Sequence, residues 1–447
     1  MAETVIIGAG ITGIATAYYL EQAGYYDYTI LEKEPTIGGL CRSIMQDGFT
    51  FDYTGHLLHL SDPGCYNLVT SLLPVEAFET VRRQAFIYSH NTYTKYPFQI
   101  NLNGLPHHVI VECIEGFVQR NATSPTLHFD EWVLANFGAG LARHFFFPYQ
   151  QKIFDIDIHE LSSSWTDRFV PATSLRDMLN GALGTTSDMI GYNAQFLYPR
   201  HGGIMTWVDA LHRQISKPAL CSTNVTHIDG INKKIICSNG REESFKYLVS
   251  TMPLTTLLQQ LREHSATQLA HAIPLLRCNS IINFNLGLNG QLPLDAHWVY
   301  YPESPYPFYR IGFPAHLTSS MSPNNASSLS GECSFLNRSN EYIQDLTHRG
   351  ITAAQKLFNI NHHDVVTQAI INIPHAYVIF DLWRDKHLPH ILKTLTNEYS
   401  IYSIGRYGAW KYASMQDALI DGKQMAEIII NHHAGKYYAT PQERILS

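Results

Sequence analysis

The stretch Val5-Ile6-Ile7-Gly8-Ala9-Gly10-Ile11-Thr12-Gly13 decides the fold of the N-terminal part of this 447-residue chain. A short apolar run, typical of a parallel strand buried on both faces, leads directly into glycines spaced G-x-G-x-x-G. An alanine-rich helical pattern follows from Ile14 to about Ala23, and residues 28–32 read as a second strand. The order of strand, glycine turn, helix and strand predicts a Rossmann-like unit.

Each glycine of this unit has a physical reason that points to a dinucleotide. Gly8 makes the tight turn, Gly10 lets a pyrophosphate approach the backbone, and Gly13 lets the helix pack closely. The helix N-terminus then faces the phosphates with free N–H groups and a positive dipole end. Glu32 ends the second strand, where a carboxylate can bind a ribose diol, which favours FAD or NAD over NADP.

Composition excludes several classes of protein. A hydrophobic content of 45% with 15% charged residues predicts a folded chain of two or three domains. The net charge of −7 and the lack of a basic run argue against nucleic-acid binding. No stretch approaches the roughly 20 apolar residues of a membrane span, and no secretory signal precedes the first strand. Seven scattered cysteines suit reduced thiols, so we expect a cytoplasmic protein whose oligomeric state the sequence leaves open.

The remaining pattern predicts two insertions into the nucleotide domain. Residues from about 105 to 190 read as mainly helical, residues 220–250 as short strands that return to the nucleotide domain, and residues 274–385 as strand-like, with an exposed loop at 318–330. A last strand at 401–404 and a helix from Gln416 to about Asn431 close the nucleotide domain. We therefore expect an α/β fold with a Rossmann-like FAD-binding domain (1–81, 201–272 and 390–447), a helical insertion (103–200) and a mainly antiparallel β-sheet substrate domain (82–102 and 273–389).

A second glycine motif separates FAD from NAD. The segment from Glu32 to Ser43 reads EKEPTIGGLCRS and resembles the second fingerprint of the FAD-binding group that includes amine oxidases and protoporphyrinogen oxidase. The resemblance implies that Gly38 and Gly39 pass close to the dinucleotide and that Arg42 helps to hold its phosphates.

Further motifs resemble the UDP-galactopyranose mutase family, in both its eukaryotic-type and its bacterial members, along almost the full chain. The matching segments are GHLLH (55–59), KYPFQIN (95–101), PYQQKIF (148–154) with Trp165 and Arg168 downstream, YNAQF (192–196), YYPESPYPFYR (300–310) and GRYGAWKY (405–412). The resemblance implies interconversion of pyranose and furanose rings of a nucleotide-diphosphate sugar, through a sugar adduct on N5 of reduced FAD. NAD(P)H is a possible external reductant.

The resemblance also implies a set of site residues. Arg168 and Arg310 match the arginines that bind the diphosphate, and His56 matches a histidine at the reactive edge of the flavin. The implied cofactor contacts beyond the glycine motifs are Gly55, His56, Gly405, Arg406, Gln416 and Asp417. The implied substrate contacts are Tyr96, Phe98, Gln99, Arg168, Asn193, Tyr300, Arg310, Tyr377 and Tyr412. The other histidines show no metal-ligand pattern, and we expect no metal site.

Departures from the family pattern concentrate on the side that contacts the sugar. Leu317 stands where the family usually has a tyrosine, and Gln150, Phe154 and Gln416 also differ from the eukaryotic pattern. The sugar, and the base, can therefore differ from those of UDP-galactose. Two alternatives stay open: an FAD oxidase or dehydrogenase of the amine-oxidase type, and a binding module whose chemistry has lapsed.

Overall fold

A computed structural model of the chain describes residues 3–122, 126–185, 194–261 and 269–436. Its strands are β1 (Thr4–Ile7), β2 (Tyr28–Leu31), β3 (Ser43–Gln46), β4 (Phe49–Asp52), β5 (Phe78–Arg82), β6 (Ala85–Ser89), β7 (Thr92–Lys95), β8 (Gln195–Pro199), β9 (Val225–Asp229), β10 (Lys234–Cys237), β11 (Glu242–Ser244), β12 (Tyr247–Ser250), β13 (Ser280–Asn289), β14 (Trp298–Tyr300), β15 (Arg310–Gly312), β16 (Ala326–Phe335), β17 (Val365–Ile373) and β18 (Ile401–Ser403). Its α-helices are α1 (Ile11–Gln22), α2 (Pro63–Leu72), α3 (His107–Gln119), α4 (Phe129–Leu141), α5 (Phe147–Phe154), α6 (Thr166–Phe169), α7 (Leu175–Ala182), α8 (Met205–His212), α9 (Leu254–Gln260), α10 (Asn340–Leu357), α11 (Leu382–Tyr399), α12 (Gly405–Gly408) and α13 (Met415–His433).

The nucleotide-binding part is a parallel sheet with the strand order β18-β12-β1-β2. The predicted returns of the chain to this sheet are confirmed, since β12 pairs with β1 and with β18 in parallel register. Helix α13 packs directly on α1, where a methyl group added at Gly422 would lie 2.6 Å from the Ala15 Cβ. This close packing holds the C-terminal helix beside the glycine motif.

The second sheet has seven strands in the order β17-β13-β16-β15-β14-β6-β7. Its pairs are antiparallel except for β14 with β6, which are parallel. The predicted α/β fold with a parallel nucleotide sheet and a mainly antiparallel sheet is therefore confirmed. The exact domain boundaries stay a prediction.

Two local expectations were wrong in this sheet region. Part of the expected loop at 318–330 belongs to β16, whose residues from Ser327 to Ser330 are buried and pair with β13, and Ser330 also pairs with β15. One hydroxyl of this strand meets a buried amide, because the Asn283 Nδ2 donates to the Ser330 Oγ at 2.8 Å. The expected strand-like stretch at 274–385 also contains the 18-residue helix α10, which covers the sheet with Leu346, Gly350 and Ala354. The region is thus a sheet with a helical cover.

Helices α3–α7 confirm the expected helical stretch between about 105 and 190, as far as the described residues extend. Helices α3 and α4 cross at glycines, because an added methyl group at Gly116 would lie 2.7 Å from the backbone nitrogen of Gly140. Aromatic rings fill the space beside this crossing, as where Phe98 stacks on Phe145 with ring centroids 5.0 Å apart. Within the described ranges, no helix has the length and apolar character needed to cross a membrane.

Candidate active site

The glycine turn after β1 leaves room for a ligand at one position. Gly10 begins α1 with φ −77° and ψ 178°, which any residue adopts, and no side chain caps the helix. Apart from its chain neighbours, a methyl group at Gly10 would contact only the Gly39 Cα, at 3.9 Å, among the described residues. A methyl group at Gly13, in contrast, would overlap the Gly8 carbonyl oxygen. Gly13 thus serves packing, whereas the space above Gly10 fits a pyrophosphate.

Glu32 lies at the end of β2 with a buried carboxylate. Its Oε2 accepts a hydrogen bond from the Ala9 N–H at 2.7 Å, and its Oε1 accepts one from the Glu34 N–H at 2.9 Å. These bonds fix the carboxylate beside the glycine turn, and each oxygen retains a lone pair for a ribose hydroxyl. The acid is placed as a dinucleotide site requires.

The second glycine motif packs against the first. The Gly38 N–H donates to the Ala9 carbonyl oxygen at 2.8 Å, which joins the two glycine turns. Arg42 donates from Nε to the Gly39 carbonyl at 2.8 Å, and its guanidinium lies 4.6 Å from the Tyr53 ring centroid. The structure therefore brings Gly8, Gly10, Gly13, Glu32, Gly38, Gly39 and Arg42 together in one region.

The C-terminal segment returns to the same region at Gly405. This glycine has φ +78°, and a methyl group there would lie 2.9 Å from the Thr12 Oγ1 at the start of α1. Arg406 donates to the carbonyl oxygens of Ala413 and Ala376 at 3.0 and 3.2 Å. Its guanidinium lies 5.8 Å from the centroid of the Tyr412 ring. Arg406 is thus a nearly buried cation between the nucleotide sheet and the row of tyrosines described below.

In the first turn of α13, the predicted cofactor contacts Gln416 and Asp417 both accept hydrogen bonds from the protein backbone. The Gln416 Oε1 accepts from the N–H groups of Ser61 and Asp62 at 2.7 and 2.8 Å. The Asp417 Oδ2 accepts from the Ser414 N–H at 2.7 Å, and this bond completes a capping box. The Gln416 amide therefore faces residues 61 and 62, and its contact with a cofactor stays a prediction.

The loop after β4 carries His56 beside two arginines. Thr54 adopts φ +69°, which is unusual for a residue with a Cβ and marks a tight turn before Gly55. Burial, reinforced by the positive charges of Arg406 and Arg310, lowers the pKa of His56 to about 4. The His56 Nδ1 is buried and has no hydrogen-bond partner among the described residues. A neutral imidazole with a free nitrogen suits a site completed by a ligand.

Arg310 lies at the start of β15, next to this loop. A methyl group at Gly55 would lie 3.6 Å from the Arg310 Nη2. The guanidinium donates from Nε and Nη2 to the two Glu332 carboxylate oxygens at 2.9 and 3.0 Å. Burial alone would lower the pKa of Arg310, but the Glu332 carboxylate and the neighbouring tyrosines 377, 309 and 300 together outweigh it and raise that pKa well above its usual value. Arg310 is thus a fixed, permanently charged cation.

Glu332 is a residue of the candidate site that the sequence reasoning missed. Its side chain is only 3% exposed and accepts a short hydrogen bond from the Tyr309 hydroxyl. The signal for it was available, because Glu332 is the one charged residue in the ten-residue strand β16. A lone carboxylate in a buried strand indicates a paired cation.

Tyrosine rings form a continuous row from Arg83 to α6. Arg83 lies 4.8 Å from the Tyr96 ring centroid, and successive ring centroids are separated by 5.4 to 6.5 Å. The row consists of Tyr96, Tyr300, Tyr149, Tyr309, Tyr377 and Tyr412, and we call it the tyrosine row. Burial raises the pKa of Tyr412 well above its usual value, and its hydroxyl has no hydrogen-bond partner among the described residues. The predicted residues Tyr96, Tyr300, Tyr377 and Tyr412 thus lie in one row.

Arg168 lies at the far end of the tyrosine row. It sits on α6 beside Phe169, whose ring centroid is 5.7 Å from that of Tyr412. Its Nη2 donates to both Asp417 carboxylate oxygens at 2.7 and 2.8 Å. The Arg168 side chain is 56% exposed, so this pair, unlike the one at Arg310, is open to solvent.

The remaining predicted substrate contacts, Phe98, Gln99 and Asn193, are not part of the tyrosine row. Phe98 is fully buried, and the Gln99 Nε2 donates to the Pro171 carbonyl oxygen at 2.7 Å. Contact of these two side chains with a base stays a prediction. Asn193 lies outside the described residues.

Comparison with solved structures confirms the resemblance expected from the motifs. The chain superposes on a crystal structure of reduced UDP-galactopyranose mutase with a TM-score of 0.90. The match covers 99% of this chain and 97% of that one at 26% sequence identity. The fold and its arrangement thus follow that enzyme over nearly the whole length.

Curated sequence relatives match over short stretches only. A 4,4'-diapophytoene desaturase of Staphylococcus aureus is 39% identical over 60 residues, which cover 13% of this chain and 12% of the desaturase. Protoporphyrinogen oxidase 2 of Arabidopsis thaliana is 33% identical over 70 residues, 16% of this chain and 14% of the oxidase. These matches span about an eighth of the relatives' length, so their activities do not transfer. The profile of the family "Flavin containing amine oxidoreductase" matches residues 11–430. The chain therefore belongs to the flavin-containing amine oxidoreductase family.

Proposed function

We propose that this chain is a flavin-dependent nucleotide-sugar mutase that interconverts pyranose and furanose rings without net oxidation. The observation that carries the proposal is the tyrosine row with cations along it, Arg310 fixed by Glu332 and Arg168 held in an exposed pair. A nucleotide sugar brings two phosphates, for which guanidinium groups and phenol hydroxyls are suitable partners. An oxidase acting on an amine or an apolar polyene would have no use for them.

The side chains around the loop after β4 have distinct roles in this proposal. The chemistry that bound, reduced FAD would supply is a nucleophilic nitrogen for the anomeric carbon of the sugar. Arg310 and Arg168 would bind the diphosphate and stabilise the charge that it gains as the bond to the anomeric carbon breaks. His56, neutral near pH 7, adds no charge beside Arg310 and offers its free Nδ1 for one hydrogen bond.

The cofactor is held, in this proposal, by the glycine turns at 8–13 and 38–39, by Glu32 and by the N-terminus of α13. Gly55, Gly405 and Arg406 would line the flavin. The proposed mutase needs reduced flavin but consumes no reducing equivalents per turnover, so the flavin has to be reduced only before catalysis begins. NAD(P)H is a candidate for this external reductant.

The wall near Leu317 bears on the choice of sugar. Leu317 lines a cavity together with Gly55, Arg310, Trp298 and Phe313. An apolar wall at this place supports a sugar that lacks a hydroxyl there, or carries an apolar substituent, rather than galactose itself.

The test is turnover by the reduced holoenzyme. Purified enzyme, reduced with dithionite, would be incubated with a panel of UDP-linked hexoses, pentoses and deoxysugars, and the products identified by NMR. We expect ring-form interconversion of at least one sugar with reduced enzyme and none with oxidised enzyme. An unchanged panel, together with hydrogen peroxide formed from an amine or a porphyrinogen, would establish an oxidase instead.

A further inference from the structure

A cluster of two histidines and an aspartate lies away from the active site, at the start of α4. His128 precedes the helix, Asp130 is in its first turn, and His159 belongs to the short 3-10 turn Ile158–Glu160. One candidate ligand atom from each of the three lies within 4.8 Å of the others. The His128 and His159 rings are nearly parallel, with centroids 4.2 Å apart. We infer that these three side chains form a site for a divalent transition-metal ion such as Zn²⁺.

The hydrogen bonds around the cluster prepare His128 as a ligand. Its Nδ1 lies 2.8 Å from the His159 carbonyl oxygen, which can only accept, so Nδ1 carries the proton. With the proton on Nδ1, Nε2 is the ring nitrogen that can bind a metal ion. Donation from one ring nitrogen to a backbone carbonyl is the arrangement that orients metal-binding histidines in general.

The other two side chains, His159 and Asp130, are joined by a hydrogen bond at the position that a metal ion would take. The His159 Nδ1 and the Asp130 Oδ2 are 2.9 Å apart, and the proton between them can be replaced by an ion bound to both. The Asp130 Oδ1 is buried and has no hydrogen-bond partner among the described residues. A buried carboxylate oxygen without a partner is costly, and a metal ion would satisfy it.

The charge and the ligand types select the ion. Asp157 and Glu131 lie near His159 and add negative charge around it. Two imidazole nitrogens and one carboxylate oxygen suit Zn²⁺ and its late first-row neighbours better than Mg²⁺ or Ca²⁺, which prefer oxygen ligands alone.

The site joins two segments that lead to Arg168. The Phe129 N–H donates to the Leu161 carbonyl at 2.8 Å, and the Ser163 N–H donates to the Leu127 carbonyl at 2.9 Å. Residues 161–163 continue directly into α6, which carries Arg168. A bound ion would therefore tie the start of α4 to the turn before α6 and stabilise both.

The experiment is a calorimetric titration of Zn²⁺ into EDTA-treated, FAD-loaded protein. We expect one site with a micromolar dissociation constant in the wild type, and at least about tenfold weaker binding in His159→Ala and Asp130→Asn. His363→Ala is the matched control, because His363 and Asp364 form a similar exposed pair, 3.4 Å apart, with no third candidate ligand in the described part of the chain. It should bind Zn²⁺ like the wild type.

A second readout keeps the inference testable if a variant folds poorly. Zn²⁺ should raise the thermal midpoint of the wild type, and EDTA should reverse the rise. Wild-type protein that binds no Zn²⁺ below millimolar concentration would overturn the inference. Undiminished binding by a folded His159→Ala variant would also overturn it.

Discussion

Replacing Glu332 by Gln tests whether Arg310 depends on a buried counter-charge. The change keeps the size of the side chain and one acceptor oxygen for Arg310, but it removes the negative charge. Arg310 is 18% exposed and Glu332 only 3%, so the remaining guanidinium would stay largely buried and unpaired. Removing one partner of a buried ion pair costs about 3–5 kcal/mol of stability, because the other charge stays buried. Since the substituted amide keeps a hydrogen bond to Arg310, we expect a loss of ~3 kcal/mol in the free energy of unfolding.

The assay is thermal unfolding of the variant with and without UDP. We expect a clear fall in the thermal midpoint of Glu332→Gln and a larger rise on adding UDP than in the wild type, because the diphosphate would replace the missing charge. Asp345→Asn is the control, since Asp345 and Arg349 form an exposed pair at 61% and 47% exposure and should contribute less than about 1 kcal/mol. Equal midpoints for the two variants would refute the argument that the Arg310 pair is buried and essential.

Three further substitutions test the binding of FAD, the pH dependence of stability and the binding of UDP. Gly10→Ala should leave the stability of the apoprotein nearly unchanged but weaken FAD binding by at least about tenfold, or ~1.4 kcal/mol, in a fluorescence titration; retained affinity would contradict the open space above Gly10. Burial raises the pKa of Asp52 from 3.8 to about 6, so the folded wild type should lose up to ~3 kcal/mol of stability as the pH rises through that window. Asp52→Asn should lack this loss. If the urea midpoints of the wild type and the variant change equally between pH 4 and 7, the raised pKa of Asp52 is contradicted. Asp417→Asn should strengthen UDP binding about fivefold, ~1 kcal/mol, in low-salt calorimetry by releasing Arg168; unchanged affinity would rule out competition for that arginine.

Local patterns predicted the nucleotide-binding part because each of its signals is contained in a few adjacent residues. The apolar run before Gly8, the glycine spacing and the acid at Glu32 act through their own backbone and need no distant partner. The C-terminal helix, expected from Gln416 to about Asn431, is also confirmed, and Ser414 and Asp417 form a capping box within its first turn.

The errors arose where burial is decided by distant partners. Residues 327–330 read as an exposed loop because serines are mostly exposed, yet they pair with β13 and are buried there, and Ser330 also pairs with β15. Helix α10 buries only Leu346, Gly350 and Ala354, so its apolar stripe was too weak to stand out among aromatic strands. Glu332 was missed because its partner, Arg310, is 22 residues away in the chain.

Arg310 and Arg168, the two candidates for binding the diphosphate, differ in the burial of their ion pairs, which the sequence motifs do not reveal. Both are arginines in family motifs, but Arg310 is paired with a carboxylate that is 3% exposed, and Arg168 with Asp417 while itself 56% exposed. A buried bidentate pair is costly to break, so Arg310 would keep Glu332 and offer a ligand only its remaining N–H groups. An exposed pair contributes little, so a diphosphate can displace Asp417 from Arg168 at small cost. In the proposed mutase, Arg310 would therefore fix the orientation of the substrate, whereas Arg168 would exchange one anionic partner for another during each binding event.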